Sequence, residues 1–428
     1  MSLFLFGSFV IMVMASMPIS FALGISTAIT LLVFTDVPLI LVPQRIIAGY
    51  DSFTLLAVPL FILAGSIMGR GGIAARLIKF GNVLVGHIRG GLACGTIVSS
   101  AFFGSVSGSA LADIAAIGGV AIPAMVKDKY PKEFAVVVVA AASPLDPVIP
   151  PSIIMIIYGW LTETSVPALF AGGFIPGILL GGCLIALTYY ISVRNNYPTK
   201  EKAHFRDIVI SLKESTPPLL TPAIILGGIL AGIFTPTEAA AVAVVYALFL
   251  EGLIYRDLTW AIFYDCLIET AILTGTIMLI FGMASGFAWL LISQQIPQAV
   301  SQFIISLAAG NPTIFLLYIN ILFFIVGLFL TPTPAMIIFL PLLVPAAEAI
   351  GINLIHLGMI MTFNLSLGLL TPPVGPALYA ACAIGKVELT SVMRIFMPYL
   401  VLLIIVTLLI TYIPWLTLYF PKLIGLIR

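Results

Sequence analysis

The chain has 428 residues; 61% are hydrophobic, 8% are charged, the net charge is +1 and the mean hydropathy is +1.22. A soluble domain carries about 25% charged residues, so this composition excludes one and calls for a lipid bilayer as solvent. A charge so close to zero also excludes a nucleic-acid-binding surface.

Apolar runs recur from Leu3 to Phe420. Since a span needs roughly 20 residues, they predict spans at about 3–22, 24–43, 53–69, 134–159, 165–193, 217–233, 238–255, 261–293 with a break, 312–330, 353–385 with a break, and 394–420. No Lys or Arg precedes Arg45, so no cleavable signal peptide is expected. In Arg70–Gly91, Arg70, Arg76, Lys79, His87 and Arg89 alternate with Leu77, Ile78, Phe80 and Leu84, the pattern of an amphipathic helix at the interface. Leu92–Val126, at 35 residues, is too long for one span and too short for two. The polar, glycine-rich run Gly104–Ser109 at its middle predicts a re-entrant hairpin whose tip stops near the midplane. The loop Arg194–Glu214, with Arg194, Lys200, Lys202, Arg206 and Lys213, is expected in the cytoplasm.

A fixed offset relates the two halves. Ile122-Pro123, Pro150-Pro151 and Phe174-Ile175-Pro176 return as Val344-Pro345, Pro372-Pro373 and Phe396-Met397-Pro398, and Ser109 maps onto Thr331. The spacing implies a duplication with a second hairpin around Thr331-Pro332-Thr333-Pro334. Lys127, Lys129 and Lys132 follow the first hairpin, but their counterpart Ala346–Asn353 has no Lys or Arg; conversely, Trp160–Ser165 has none where Cys382–Val387 carries Lys386. The positive-inside pattern thus swaps sides, as in inverted repeats. The expected fold is an all-α polytopic membrane protein of two inverted repeats, each with a re-entrant hairpin and a broken helix. The expected division is scaffold helices 1–52; repeat 1, 53–193, with its arm helix, hairpin 92–126 and broken helix 134–159; connecting segment 194–260; and repeat 2, 261–428, with hairpin about 312–349 and broken helix 353–385.

Four polar breaks interrupt the apolar segments: Ser107-Gly108-Ser109, Ser143-Pro144 through Pro150-Pro151, Thr331-Pro332-Thr333-Pro334, and Thr371-Pro372-Pro373; within them Ser143-Pro144, Thr331-Pro332, Thr333-Pro334 and Thr371-Pro372 share a hydroxyl–proline grammar. A hydroxyl suits an N-cap and proline the first helical position, so each can start a half-helix with its positive end at a cavity. Such ends attract a carboxylate, and unwound carbonyls beside hydroxyls suit Na⁺. One break alone is equally a proline kink satisfied by hydroxyls; four paired by one offset favour a site. Two Na⁺ sites are expected, one from Ser107, Gly108 and Ser109 with backbone at Ile149 and Pro150, the other from Thr331 and Thr333 with Thr371 and Pro372. The expected substrate contacts are Ser107, Ser143, Asp146, Thr331 and Thr371.

Asp146 is a carboxylate inside a long apolar segment, where ionisation costs about 2.5–3.5 kcal/mol. It is a candidate for cation coordination, protonation or substrate contact, or else is hydrogen-bonded to freed N–H groups of its own broken helix. Asp113 reads as an acidic first-turn residue, and Glu238 as the end of a capping box begun by Thr235. Asp265 and Glu269 read as a solvated face. His87 and His356 are isolated, and Cys94, Cys183, Cys266 and Cys382 read as small core residues without metal or disulfide spacing. No phosphate loop, G-x-S-x-G elbow or H-E-x-x-H occurs. No enzymatic activity, ATP hydrolysis or cofactor is therefore expected.

Gly104–Pro123, Tyr130–Phe134, Ile149–Ile153, Gly232–Ala240 and Leu370–Pro376 make the chain resemble the large membrane subunit of a TRAP (tripartite ATP-independent periplasmic) transporter over nearly its whole length. The family usually has Gly-Pro where this chain has Asp146-Pro147. The resemblance implies an elevator mechanism of the ion-transporter-superfamily type, Na⁺ as coupling ion and a multi-pass place in a bacterial inner membrane. It also implies a small four-helix membrane subunit, a periplasmic substrate-binding protein and an organic acid substrate such as a dicarboxylate, sialic acid, keto acid or sugar acid. A self-sufficient Na⁺/dicarboxylate or gluconate-type carrier is the nearer alternative. An intramembrane enzyme is the remote one, since the buried Ser, Thr and Asp lack a His or Lys partner.

Overall fold

The structure, a computed structural model, describes residues 1–199, 204–372 and 375–427. It is all-α, with no strand among those residues. The amino-terminal helices are α1 (Ser2–Met14), α2 (Ile19–Phe34) and α3 (Leu41–Tyr50). The first repeat comprises α4 (Ala57–Arg70), α5 (Ile73–Val85), the hairpin α6 (Gly91–Ser107) and α7 (Ala110–Lys127), the broken helix α8 (Lys132–Ala142), α9 (Leu145–Val148) and α10 (Ile153–Thr162), and α11 (Val166–Arg194). The connecting helices are α12 (Phe205–Leu230) and α13 (Pro236–Leu248). The second repeat comprises α14 (Trp260–Ser293), α15 (Ile296–Leu307), the hairpin α16 (Pro312–Gly327) and α17 (Pro332–Ile350), the broken helix α18 (Leu354–Gly368) and α19 (Pro376–Gly385), α20 (Leu389–Tyr412) and α21 (Trp415–Leu423).

Helix starts keep the offset read from the prolines. Ile73 pairs with Ile296, Gly91 with Pro312, Ala110 with Pro332, Lys132 with Leu354, Ile153 with Pro376 and Val166 with Leu389, each within one residue of the same spacing. The repeats run in opposite directions. Lys132 Nζ, at the start of the first broken helix, donates to Lys386 O at the end of the second, 3.2 Å away. Tyr158 OH, near the end of the first, donates to Leu354 O at the start of the second at 2.6 Å. The hairpins therefore approach from opposite ends of the molecule.

Several boundaries differ from expectation. Seven described helical segments, with the broken helix Lys132–Thr162 counted as one, are long and apolar enough to cross a membrane, or up to nine if two bent pairs each count as one span. The expected spans 3–22 and 24–43 resolve into the three shorter helices α1–α3, separated by Pro18 and by the turn around Pro38. The break expected in 261–293 is absent: α14 runs unbroken for 34 residues because no proline interrupts it. At 1.5 Å per residue it is about 51 Å long, more than a roughly 30 Å hydrocarbon core requires. The last expected span stops at Tyr412, before Pro414. The loop Arg194–Glu214 shrinks, since Arg206 and Lys213 lie on α12; Lys200 and Lys202 fall outside the described residues.

The amphipathic helix appears as α5. Its apolar face buries Ile73, Ala74, Leu77 and Ile78. Its basic face is held by the connecting segment: Arg76 pairs with Asp257 at 2.8 Å and stacks on the Tyr255 ring, and Lys79 pairs with Glu214 at 2.7 Å. Burial pushes the Tyr255 hydroxyl up to about 12, so it stays a donor, here to Glu214 O. Glu251 sits on a π-helical turn, Phe249–Ile254, and accepts from the Gly72 and Ile73 N–H groups at the start of α5. The Thr235–Glu238 capping box is formed as expected, with Thr235 N donating to Glu238 Oε2 at 2.8 Å.

Candidate functional site between the hairpin tips

The first tip turns on Gly108, whose φ of +59° suits glycine. A Cβ there would lie 3.0 Å from Ile153 N and 3.3 Å from Pro151 O, so the tip packs on the backbone of the neighbouring break. Ser109 caps α7 and accepts from Ala112 N, while Ser107 Oγ accepts from Ser109 N. The second tip starts α17 at Thr331, with Pro332 at the first helical position.

The two tips meet. Ser107, Gly108, Ser109, Thr331 and Thr333 line one cavity of about 170 Å³, with Pro147 and Leu369 from the two breaks. Its opposite wall is α4 and α14, through Gly65, Ser66, Glu269 and Leu273. Gly65 lets α4 approach closely: a Cβ there would lie 2.8 Å from Ser107 Cα. The tips thus present hydroxyls and helix starts to a shared space, which suits a hard cation or a carboxylate.

The other expected site residues do not reach this cavity. Ser143 does not cap a half-helix; it ends α8, and its hydroxyl bonds back to Ala140 O at 2.9 Å. The cap of the following half-helix is Ser152, which accepts from Met155 N, and a cis Pro150–Pro151 bond precedes it. Thr371 likewise bonds back to Leu367 O at 2.9 Å, and α19 begins later, at Pro376. Thr333-Pro334 lies within the first turn of α17 and starts no helix of its own. The hydroxyls of Ser143 and Thr371 thus bond back to a carbonyl of the preceding turn instead of capping a helix ahead. Ile149, Pro150 and Pro372 lie in the breaks, outside the cavity lining; Pro373 is outside the described residues.

Asp146 is fully buried, and neither carboxylate oxygen accepts a hydrogen bond, so the alternative reading, bonding to freed N–H groups of its own broken helix, is not formed. Its side chain lies against Gly104 of α6, where a Cβ would come within 2.0 Å of Oδ1. Asp113 is in the first turn of α7 as expected, and is fully buried. Its Oδ2 accepts from Ser100 Oγ at 2.9 Å, while Oδ1 has no partner in the structure.

Glu269 differs from expectation. It faces the cavity, and its Oε2 accepts from Ser66 Oγ at 2.8 Å and Arg70 Nε at 3.0 Å. Asp265 is 3.7 Å from Arg70 Nη1 and more exposed, nearer the solvated reading. Spacing alone, i and i+4 on an apolar helix, did not reveal which acid turns inward; the contact with α4 decides it. Among the described residues no group of His, Cys, Asp and Glu forms a metal cluster.

Residues 6–416 match the family described as tripartite ATP-independent periplasmic transporter, DctM component. The chain is 40% identical over 405 residues to the C4-dicarboxylate TRAP transporter large permease protein DctM of Pseudomonas aeruginosa, covering 95% of each. It is 40% identical over 410 residues to the sialic acid TRAP transporter large permease protein SiaM of Vibrio cholerae serotype O1, covering 96% of each. Among solved structures it resembles the YdaH transporter of Alcanivorax borkumensis, with a TM-score of 0.64 at 12% identity over 87% of each chain, a likeness of fold alone.

Proposed function

The chain belongs to the DctM family of TRAP-transporter large permease subunits, multi-pass inner-membrane proteins and not enzymes, and on that premise we propose that it imports an organic acid driven by Na⁺. The observation that carries this reading is the meeting of both hairpin tips, with their hydroxyls, at one cavity. One Na⁺ sits at the Ser107–Ser109 tip and a second at the Thr331–Thr333 tip, each completed by carbonyls of the neighbouring break. The substrate carboxylate lies between them, against the positive starts of α7 and α17. C4-dicarboxylates and sialic acids, named for two relatives, are the first substrates to try. The two hairpins and broken helices move together past α4 and α14 as an elevator, and the close approach of Gly65 to Ser107 supports a sliding contact there. A small four-helix subunit and a periplasmic binding protein complete the system, the latter docking at loops such as Trp160–Ser165. No ATP is consumed; moving one net positive charge inward gains roughly 2.3 kcal/mol per 100 mV.

Reconstitution tests the whole reading. The large subunit is placed in proteoliposomes alone, with the small subunit, and with both partners, under imposed Na⁺ gradients. Saturable, Na⁺-dependent uptake is expected only from the complete system. Uptake without Na⁺ removes the coupling claim, and robust uptake by the large subunit alone establishes a self-sufficient carrier.

A further inference from the structure

Arg70 ends α4 beside the cavity between the tips, in an adjoining recess that shares Glu269 and Leu273 with it. Its Nε donates to Glu269 Oε2 at 3.0 Å, and its Nη1 is 3.7 Å from Asp265 Oδ2, beyond hydrogen-bonding range. A guanidinium has five N–H donors in a planar fork that fits a carboxylate with two parallel bonds. Here one of them makes a hydrogen bond to protein among the described residues. Glu269, in turn, has a second donor on the same oxygen, Ser66 Oγ at 2.8 Å. If another carboxylate takes Arg70, Glu269 does not become an unpaired acceptor, because Ser66 still holds it. The arrangement is an exchangeable ion pair at the mouth of a cavity, with its acid provided for in both states. All three side chains line or border the recess and are partly exposed, at 46% for Arg70, 59% for Asp265 and 39% for Glu269.

We infer that Arg70 is a specificity residue for anionic cargo, reached by exchange: the carboxylate of a solute leaving or entering the space between the tips displaces Glu269 from the guanidinium, and Glu269 stays on Ser66. This rests on the proposal above that the cargo is an organic acid. Arg70 selects for a carboxylate over a neutral solute, and Glu269 and Asp265 keep that carboxylate from being held too long.

The test avoids transport, so that its failure is distinct from failure of the transport reading. Phenylglyoxal modification of the purified protein is followed peptide by peptide, with Arg394, an exposed residue on α20, as internal reference. Succinate is the carboxylate probe, compared with chloride at equal ionic strength. Succinate is expected to slow modification of Arg70 but not of Arg394. Glu269→Gln should lower the succinate concentration needed by about fivefold, the upper range for removing one exposed ion pair. Ser66→Ala should raise it, because Glu269 then loses its fallback donor. Opposite shifts from two neighbouring substitutions are not what a structural pair linking α4 to α14 would give. Should Glu269→Gln fail to fold, Asp265→Asn should shift protection in the same direction but less. Equal protection of Arg70 and Arg394, or shifts of the same sign in Glu269→Gln and Ser66→Ala, overturns the inference.

Discussion

The two repeats share a backbone frame and differ in what they bury. In repeat 2 the hairpin meets the broken helix glycine to glycine: a Cβ on Gly368 would lie 2.5 Å from Gly327 Cα. In repeat 1 the position at the same offset as Gly368 is Asp146, and the approach survives because Gly104 yields the space. Around these contacts the polar groups diverge. Repeat 2 holds a neutral, partnered network. Asn364 Nδ2 donates to Asn320 Oδ1 at 2.8 Å, Thr411 Oγ1 donates to the same oxygen at 3.1 Å, and His356 is 2.8 Å from Thr417 Oγ1 and 3.1 Å from Thr411 O. Repeat 1 holds two carboxyls, Asp113 and Asp146, with three oxygens lacking a partner in the structure. Duplication copies the fold, and afterwards each copy is free to place its own chemistry. Asp113 and Asp146 are therefore where the two hairpin–helix contacts lose their symmetry.

The sharpest break in the comparison is Gly368→Ala. Its new Cβ meets the Gly327 backbone, which no side chain can relieve, so we expect loss of folded protein, an effect at or above the roughly 1–3 kcal/mol of overpacking. Gly104→Ala should fail similarly, but Gly104→Ala with Asp146→Gly should recover yield in part, because one of its obstacles is a side chain. Detergent-purified yield and thermal melting compare the two; equal failure of the double variant would show that the Asp146 backbone alone sets the limit.

Asp146→Asn should be next in size. Expression is retained, while Na⁺, proton or substrate dependence of uptake shifts by about tenfold, the equivalent of roughly 1.4 kcal/mol. Uptake identical to the wild type across pH and Na⁺ would return Asp146 to a packing role. Asn320→Ala, in the neutral network, should lower thermal stability by about 0.6 kcal/mol, the average for hydrogen bonds between membrane helices, and leave Na⁺ dependence unchanged. A changed Na⁺ dependence would end the division of labour drawn here. Thr235→Ala lies outside both hairpins and breaks only the capping box, so a loss of about 1 kcal/mol without a transport effect is expected, read by melting and uptake on the same preparation.

Sequence alone determined the membrane class, the duplication and both hairpins, because these rest on one-dimensional signals: apolar run length, proline and glycine positions, and the side carrying Lys and Arg. Ser109 and Thr331 were legible as tip residues because caps and prolines act over three or four residues. The roles of Ser143 and Thr371 were not, since a hydroxyl beside a proline has two acceptable partners, ahead or behind, and packing chose the carbonyl behind. Which residues share the cavity, the inward turn of Glu269 onto Ser66 and Arg70, and the fit of Asp146 against Gly104 were decided only in three dimensions. Each joins groups dozens to hundreds of positions apart, and such contacts are fixed by close packing between helices, which no local pattern encodes.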